Sequence, residues 1–206
     1  MPPEAPQGAG VFCRLEDGRY LFALYDESRV GGAGAVRRPR LVCGRIGGRR
    51  NAGESWQQCV EREVMEETGC RAIVESSGEC FFADVEGRPA AIAVEDTPRP
   101  ALISRQPAAG AVVPGGIYYN LCFWARLEGQ AKPGPELDAL AIIGEPLLRR
   151  MAGGAPPAGE AVTLRDLVTA GAEVIAAREL DADARVTLGR STRVLLDILD
   201  CARAQD

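Results

Sequence analysis

Residues 55–68 predict a helix, and this helix limits the possible folds of the chain more than any other segment. Ser55, with Gln58 three residues later, is typical of a capped N-terminus, and Gly69 stands where helices commonly end. One face of the helix, about 120° wide, begins apolar and becomes acidic. Its residues are Trp56, Cys59, Val60, Glu63, Glu66 and Glu67. We therefore expect the helix to start against the core, where Trp56 packs, and to end beside a pocket.

The three glutamates of this face need compensation, because like charges three and four residues apart repel and burial raises the cost. A divalent cation is one solution, and oxygen-only ligands favour Mg²⁺, Ca²⁺ or Mn²⁺ over Zn²⁺. A solvated helix face whose glutamates pair with arginines is the other solution. The spacing of the glutamates leaves both open.

The amino-acid composition excludes many other catalytic mechanisms and metal sites. The chain of 206 residues has no histidine, and Lys132 is the one lysine among its 24 basic residues. A Ser-His-Asp or Cys-His triad, a zinc site with histidine ligands and an imidazole base are therefore excluded. Catalysis would depend on carboxylates, cysteines, hydroxyl groups, arginines or a bound metal.

The glutamates belong to a longer pattern over residues 48–70, which reads GRRNAGESWQQCVEREVMEETGC. It resembles the Nudix box, G-x5-E-x7-R-E-U-x-E-E-x-G-U, in which U is an aliphatic residue. All seven fixed residues are present at the required spacing, Val64 matches the first U, and Cys70 replaces the last. A buried cysteine behaves as a small hydrophobic residue, so we expect this departure to have little effect.

The resemblance to the Nudix family implies a role for each matching residue. The implied catalytic residues are Arg62, Glu63, Glu66 and Glu67, with Arg62 orienting a neighbouring carboxylate. The implied metal is Mg²⁺ or Mn²⁺. Its implied ligands are the Gly48 carbonyl and the carboxylates of Glu54, Glu63, Glu66 and Glu67. The choice of the catalytic base differs among members of the family and stays open.

The activity that the resemblance implies is hydrolysis of a phosphoanhydride bond in a nucleoside diphosphate derivative or a related nucleotide. The metal would neutralise the diphosphate and lower the pKa of a bound water, which a carboxylate would position or deprotonate. The alternative is a Nudix-fold sensor or regulator that binds a nucleotide derivative without cleaving it. The complete box favours the enzyme, and the identity of the substrate stays open.

Six arginines lie within fourteen residues where the box begins, and no acidic residue occurs from Ser28 to Gly53. Guanidinium groups suit the phosphate oxygens that a metal leaves free. The run consists of Arg37, Arg38, Arg40, Arg45, Arg49 and Arg50, of which Arg45, Arg49 and Arg50 are the candidates for substrate binding. A solvated loop, or pairing with the box glutamates, is the alternative.

Many members of the family use a further carboxylate from a later loop. Glu136 is the first candidate for this position, and Asp138, Glu95 and Asp96 are the alternatives. Each of these residues also suits an ordinary polar position in a loop.

The order of the predicted elements indicates an α/β (α+β) fold, a Nudix-like α/β/α sandwich with a mixed sheet and a C-terminal helical extension. Strands are predicted at 11–15, 20–25, 41–43, 72–75, 80–85, 90–95, 117–127 and 137–143, and helices at 55–68, 146–151, 163–177 and 187–204. Loops are predicted at 46–53 and 96–116.

Four parts of the chain are predicted: a disordered tail at 1–9, the Nudix domain at 10–151, a linker at 152–159 and the extension at 160–206. The extension suits either a lid or a homodimer interface, and the sequence leaves both open.

Charge and cysteine content indicate the partners and the compartment. A net charge of −5 argues against broad binding to nucleic acid or to an anionic membrane surface. The resemblance to the Nudix family implies a small phosphoanhydride as the partner. The seven scattered cysteines are typical of free thiols in a reducing compartment. There is no apolar run of about 18 residues and no signal-peptide pattern, so we expect a cytoplasmic protein.

Overall fold

The computed structural model describes residues 7–26, 40–84, 88–107, 117–153 and 162–203. Its strands are β1 Gln7–Arg14, β2 Tyr20–Asp26, β3 Arg40–Gly44, β4 Ile46–Arg49, β5 Arg71–Glu75, β6 Cys80–Ala83, β7 Ala90–Ile92, β8 Leu102–Pro107, β9 Ile117–Glu128, β10 Ala139–Ile143, β11 Val162–Thr163, β12 Glu173–Ala176 and β13 Arg185–Leu188. Its helices are α1 Trp56–Thr68, α2 Glu145–Ala152, α3 Leu164–Thr169 and α4 Arg190–Arg203. Within these ranges, no helix is long and apolar enough to cross a membrane.

Strand β1 lies at the centre of the sheet. It runs parallel to β9 along one edge. On the other edge it pairs antiparallel with β4 over its first half and with β2 at its end. Among the described residues, the strand order is β11-β13-β3-β2-β1-β9-β8-β6-β7, and β4, β5, β10 and β12 attach beside this path. The sheet is therefore mixed, as predicted.

Alternate residues of the central strands face two separate cores. The core between the sheet and α1 includes Val11, Phe123, Cys59, Val60 and Val64. The core on the opposite face includes Phe12, Cys122, Leu148 of α2, Leu167 of α3 and Leu195 of α4. Helices cover both faces of the sheet, so the predicted α/β/α sandwich is confirmed.

Helix α1 has the two ends that its sequence predicts. The Ser55 hydroxyl accepts a hydrogen bond from the Gln58 N–H at 3.2 Å, and the Gln58 side chain accepts from the Ser55 N–H at 2.8 Å. Gly69 has a φ of 67°, and its N–H donates to the Met65 carbonyl at 2.9 Å. These bonds satisfy backbone groups that a helix end leaves unpaired, so the sequence itself fixes both ends of α1.

Three segments predicted as tail or loop contain strands. Residues 7–9 form the start of β1, β4 occupies the predicted loop at 46–53, and β8 lies within the predicted loop at 96–116. All three segments are rich in glycine, proline or arginine, but each is paired with strands distant in sequence. Such pairing overrides local strand propensity. Residues 1–6, and all of the predicted 152–159 linker beyond Gly153, lie outside the described residues.

The C-terminal segment differs most from its prediction. The single helix predicted over 163–177 is wrong, because α3 ends at Thr169, Gly171 adopts a φ of 94°, and β12 follows. Strand β12 pairs with β10, and β13 pairs in parallel with β3 before α4 begins at Arg190. This segment is therefore built into the main sheet and is not purely helical.

We expect Leu167→Ala to lower the free energy of unfolding by about 2–5 kcal/mol, because the Leu167 side chain is fully buried in the core shared with the sheet. Val168, the next residue on α3, is 52% exposed. The control Val168→Ala should change that free energy by no more than about 0.5 kcal/mol. Urea unfolding followed by circular dichroism measures both, and equal stability of the two variants would contradict the packing described for α3.

Candidate active site

The acidic end of α1 lies against β4. The Glu67 Oε2 atom accepts a hydrogen bond from the Gly47 N–H at 2.8 Å. Both carboxylate oxygens of Glu63 lie so close to Gly48 that a Cβ atom at this position would collide with them. Two glycines of the strand therefore give the carboxylates of the helix direct access to the backbone.

Arg62 joins the box glutamates. Its Nε atom donates to Glu54 Oε1 at 2.8 Å, and its Nη1 atom donates to Glu63 Oε1 at 2.7 Å and to Glu66 Oε2 at 3.0 Å. Its Nη2 atom also donates to the Arg49 carbonyl at 2.9 Å. The pKa of Glu54 falls to about 2, chiefly because Arg62 bonds to it. Arg62 thus holds several carboxylates in fixed orientations while neutralising one charge.

The three glutamates of the acidic face differ in exposure. The Glu66 side chain is 58% exposed and that of Glu63 is 13% exposed. Burial raises the pKa of Glu67 to about 7, although the bond from Gly47 opposes this shift, and burial also raises the pKa of Glu63. The buried face of α1 runs through Cys59, Val60, Val64 and Thr68. Glu66 therefore lies at the rim of this face, while Glu63 and Glu67 lie close to the core.

The loop before β10 closes the end of α1. The Lys132 N–H donates to the Thr68 carbonyl at 2.9 Å, and the Gly134 N–H donates to the Glu67 carbonyl at 2.8 Å. A Cβ atom at Gly134 would overlap the Glu66 carbonyl oxygen. This docking places Glu136 on the wall of the cavity that Glu67 also lines.

The cavity beside Glu67 has a volume of about 740 Å³. Its lining includes Arg45, Gly47, Glu67, Asn120 and Glu136, together with Tyr25, Gly44 and the C-terminal residues Gly189, Arg190 and Ser191. The sequence analysis missed Tyr25, Asn120 and the C-terminal residues. Asn120 is a polar residue within an otherwise apolar part of β9, which is a signal that could have found it. The C-terminal residues carry no such signal.

The candidate arginines take different positions. Arg45 lines the cavity, where its Nη2 atom donates to Asn120 Oδ1 at 2.6 Å and its Nη1 atom to the Ala9 carbonyl at 3.0 Å. Arg50 lies 4.4 Å from the ring centre of Trp56, which is only half-buried, and donates to the Glu54 carbonyl at 2.9 Å. Arg45 is therefore the one of these two that faces the cavity.

Two further arginines of the run lie within the described residues, and both are exposed. Arg49 is exposed at the end of β4, and Arg40 is exposed at the start of β3. Arg37 and Arg38 lie outside the described residues. The roles of Arg49 and Arg50 in substrate binding stay predictions.

The alternatives to Glu136 do not line this cavity. Asp138 is fully buried and forms an ion pair with Arg178. Glu95 lines a separate cavity with Arg99, and Asp96 is an exposed loop residue. Of the four candidates for a further carboxylate, Glu136 is the one that the fold brings beside Glu67.

A hard divalent cation suits the chemistry of this site. Arg62 forms ion pairs with the carboxylates of Glu54, Glu63 and Glu66, and the Glu67 carboxylate follows Glu66 at the acidic end of α1, so one positive charge stands among four carboxylates. Burial of Glu63 and Glu67 makes the remaining negative charge costly. As the side chains stand, the described residues contain no group of three or more aspartate, glutamate or cysteine side chains arranged to hold a metal. Arg62 instead bonds to Glu63 and Glu66, so the predicted ligand set stays a prediction.

We expect Gly134→Ala to lower the free energy of unfolding by about 1–3 kcal/mol, because the added Cβ would force the loop away from the end of α1. Gly78→Ala is the matched control, since no atom lies within 4 Å of a Cβ at that position. Thermal and urea unfolding of both variants provides the measurement. If Gly134→Ala proves as stable as Gly78→Ala, the described docking of the loop is incorrect.

No protein-family model matches the chain, and no curated protein matches it. Among solved structures, the E. coli ORF135 protein has a TM-score of 0.45 at 17% identity, with 70% of this chain and 78% of that one covered. A putative Nudix hydrolase from Chromobacterium violaceum has a TM-score of 0.42 at 17% identity, with 100% and 82% covered. A MutT Nudix hydrolase from Burkholderia pseudomallei has a TM-score of 0.42 at 13% identity, with 95% and 98% covered.

These identities and TM-scores are too low to assign a family. The motif and its geometry carry the resemblance instead. Residues 48–70 match the Nudix box at every fixed position. The structure holds them as the end of a strand, a capped helix and a turn, beside a cavity that residues of β2, β3 and β9 also line. In this motif, the chain resembles the Nudix hydrolases.

Proposed function

We propose that the chain is a metal-dependent hydrolase that cleaves a phosphoanhydride bond in a nucleoside diphosphate derivative or a related nucleotide, with water as the nucleophile. One observation carries the proposal: the complete box places Glu63 and Glu67 against Gly47 and Gly48, and Glu67 opens into a cavity that also contains Arg45. Carboxylates for a cation and a guanidinium for phosphate are the two requirements of a diphosphate site.

The residues proposed to hold the metal are the Gly48 carbonyl and the carboxylates of Glu54, Glu63, Glu66 and Glu67. When bound, Mg²⁺ or Mn²⁺ supplies positive charge for the diphosphate oxygens and lowers the pKa of a coordinated water. Glu54 is the most firmly held of these carboxylates, because Arg62 and the Asn51 N–H both donate to it. In the proposal, Glu54 supports the site chiefly by fixing Arg62.

Glu67 is the box glutamate that lines the cavity. Its Oε2 atom accepts from the Gly47 N–H, and no other hydrogen bond from the described residues reaches the carboxylate. A carboxylate anchored through one oxygen can position a water with the other, as general-base catalysis requires. Glu63 and Glu66, which Arg62 orients, remain the other candidates for the base, and Glu136 is the proposed further carboxylate.

Arg45 is the proposed contact to the phosphate. Its guanidinium is held by Asn120 and by the Ala9 carbonyl, so little conformational entropy is lost when a ligand binds to it. Fixed donors of this kind stabilise developing negative charge better than mobile ones, because they need no reorganisation during the reaction.

We expect Glu67→Gln to reduce kcat/KM by about 10²–10⁴-fold, because the amide keeps the shape of the side chain but cannot take a proton or hold a cation equally well. The assay is hydrolysis in Mg²⁺, over nucleotide sugars, dinucleotides, ADP-ribose and nucleoside triphosphates. Glu61→Gln is the control on the same helix, since Glu61 is exposed and bonds to Gln57.

Near wild-type turnover in Glu67→Gln would refute the catalytic assignment. Tight ligand binding by the wild type, with no turnover on any of these compounds, would instead favour the sensor.

A further inference from the structure

The C-terminal segment forms one wall of the cavity. Strand β13 pairs in parallel with β3, and Gly189 and α4 follow at the cavity edge. The Gly189 N–H donates to the Cys43 carbonyl at 2.8 Å. A Cβ atom at Gly189 would lie 3.2 Å from that carbonyl oxygen and 3.5 Å from the Gly44 Cα, so glycine permits this close approach.

The start of α4 is firmly anchored in this position. The buried Thr192 hydroxyl donates to the Cys43 carbonyl at 3.0 Å, and the Arg190 guanidinium donates to the Asp84 carbonyl. The next turn places Val194 and Leu195 in the core. Ser191 lies between the two anchors and lines the cavity, and no residue in the described ranges forms a hydrogen bond with its hydroxyl.

Asn120 presents a second polar group to the same space. Its side chain is 3% exposed, and its Oδ1 atom is occupied by Arg45. Its amide nitrogen has no hydrogen-bond partner among the residues that the structure describes, although Asn120 lines the cavity. The nitrogen is not one of the fully buried atoms that lack a partner, so it is accessible to an acceptor on a ligand.

Tyr25 supplies an aromatic surface beside these groups. Its ring and hydroxyl lie against Gly44, where a side chain would displace them. The cavity volume of about 740 Å³ exceeds what a diphosphate needs and falls within the usual range for binding sites of small organic ligands. Besides Glu67 and Arg45, the cavity lining therefore presents a hydroxyl, an amide and an aromatic ring to a ligand.

From these contacts we infer that Ser191, with Asn120 and Tyr25, determines specificity by binding the nucleoside part of a nucleoside diphosphate. The inference rests on the proposed function for the position of the diphosphate, at Glu67 and Arg45. It assigns substrate selection to a segment that lies outside the 48–70 motif. The segment anchors Ser191 through the backbone of β3 and cannot be removed without opening the cavity.

The test is equilibrium binding of ADP and of inorganic pyrophosphate to the full chain in Mg²⁺, measured by isothermal titration calorimetry. Ser191→Tyr should raise the dissociation constant of ADP at least tenfold, because the larger side chain would fill the part of the cavity next to α4. It should leave the dissociation constant of pyrophosphate within about twofold. Ser191→Ala, which preserves the helix, should raise the ADP constant about threefold to tenfold through the lost hydrogen bond. Ala202→Tyr adds the same bulk to an exposed position three turns along α4 and should change neither constant.

Unchanged ADP binding in both Ser191 variants would overturn the inference, as would equal losses for ADP and pyrophosphate or a wild type that does not bind ADP. These results are independent of turnover. If the Ser191 variants behave as expected but Glu67→Gln remains fully active, the proposed catalytic role of Glu67 fails. The role of Ser191 in nucleoside binding would still be supported.

Discussion

The burial of two carboxylates against a glycine strand is the constraint on which the rest of the site depends. Glu67 would be costly to bury without the Gly47 N–H, and Glu63 could not approach the strand if Gly48 had a side chain. Arg62 then organises the remaining carboxylates through a planar set of donors that lysine could not reproduce. The acidic end of α1 is thus held in a defined arrangement with an excess of negative charge.

Much of the fold serves to bring β4 and α1 together. Strand β1 lies beside β4 through Gly8 and Gly10, positions at which a Cβ atom would collide with the carbonyl oxygens of Gly48 and Ile46. Gly134 allows the loop before β10 to dock on the end of the helix, which carries Glu136 to the same cavity. The glycines therefore act by allowing backbone segments to approach closely. The polar side chains of the site occupy the space that the missing glycine side chains leave.

Local patterns were enough to predict α1, both of its ends and the carboxylates on it, because capping and helical periodicity depend on residues close in sequence. Strands β4 and β8 were missed because their composition is typical of loops and their pairing is long-range. The helix predicted over 163–177 failed at Gly171, whose left-handed conformation lets the chain turn into β12. Asn120 and Ser191 share the cavity only through the tertiary fold, so no sequence pattern joins them.

Metal binding at the acidic end of α1 is the central claim, and titration with Mn²⁺ followed by electron paramagnetic resonance tests it directly, since bound Mn²⁺ loses the signal of the free aquo ion. The account predicts that the wild type and Glu61→Gln bind Mn²⁺ with the same affinity. It predicts that the double variant Glu63→Gln/Glu67→Gln, folded to the same degree by circular dichroism, binds at least tenfold more weakly. Equal affinity in the double variant and the wild type would contradict the account.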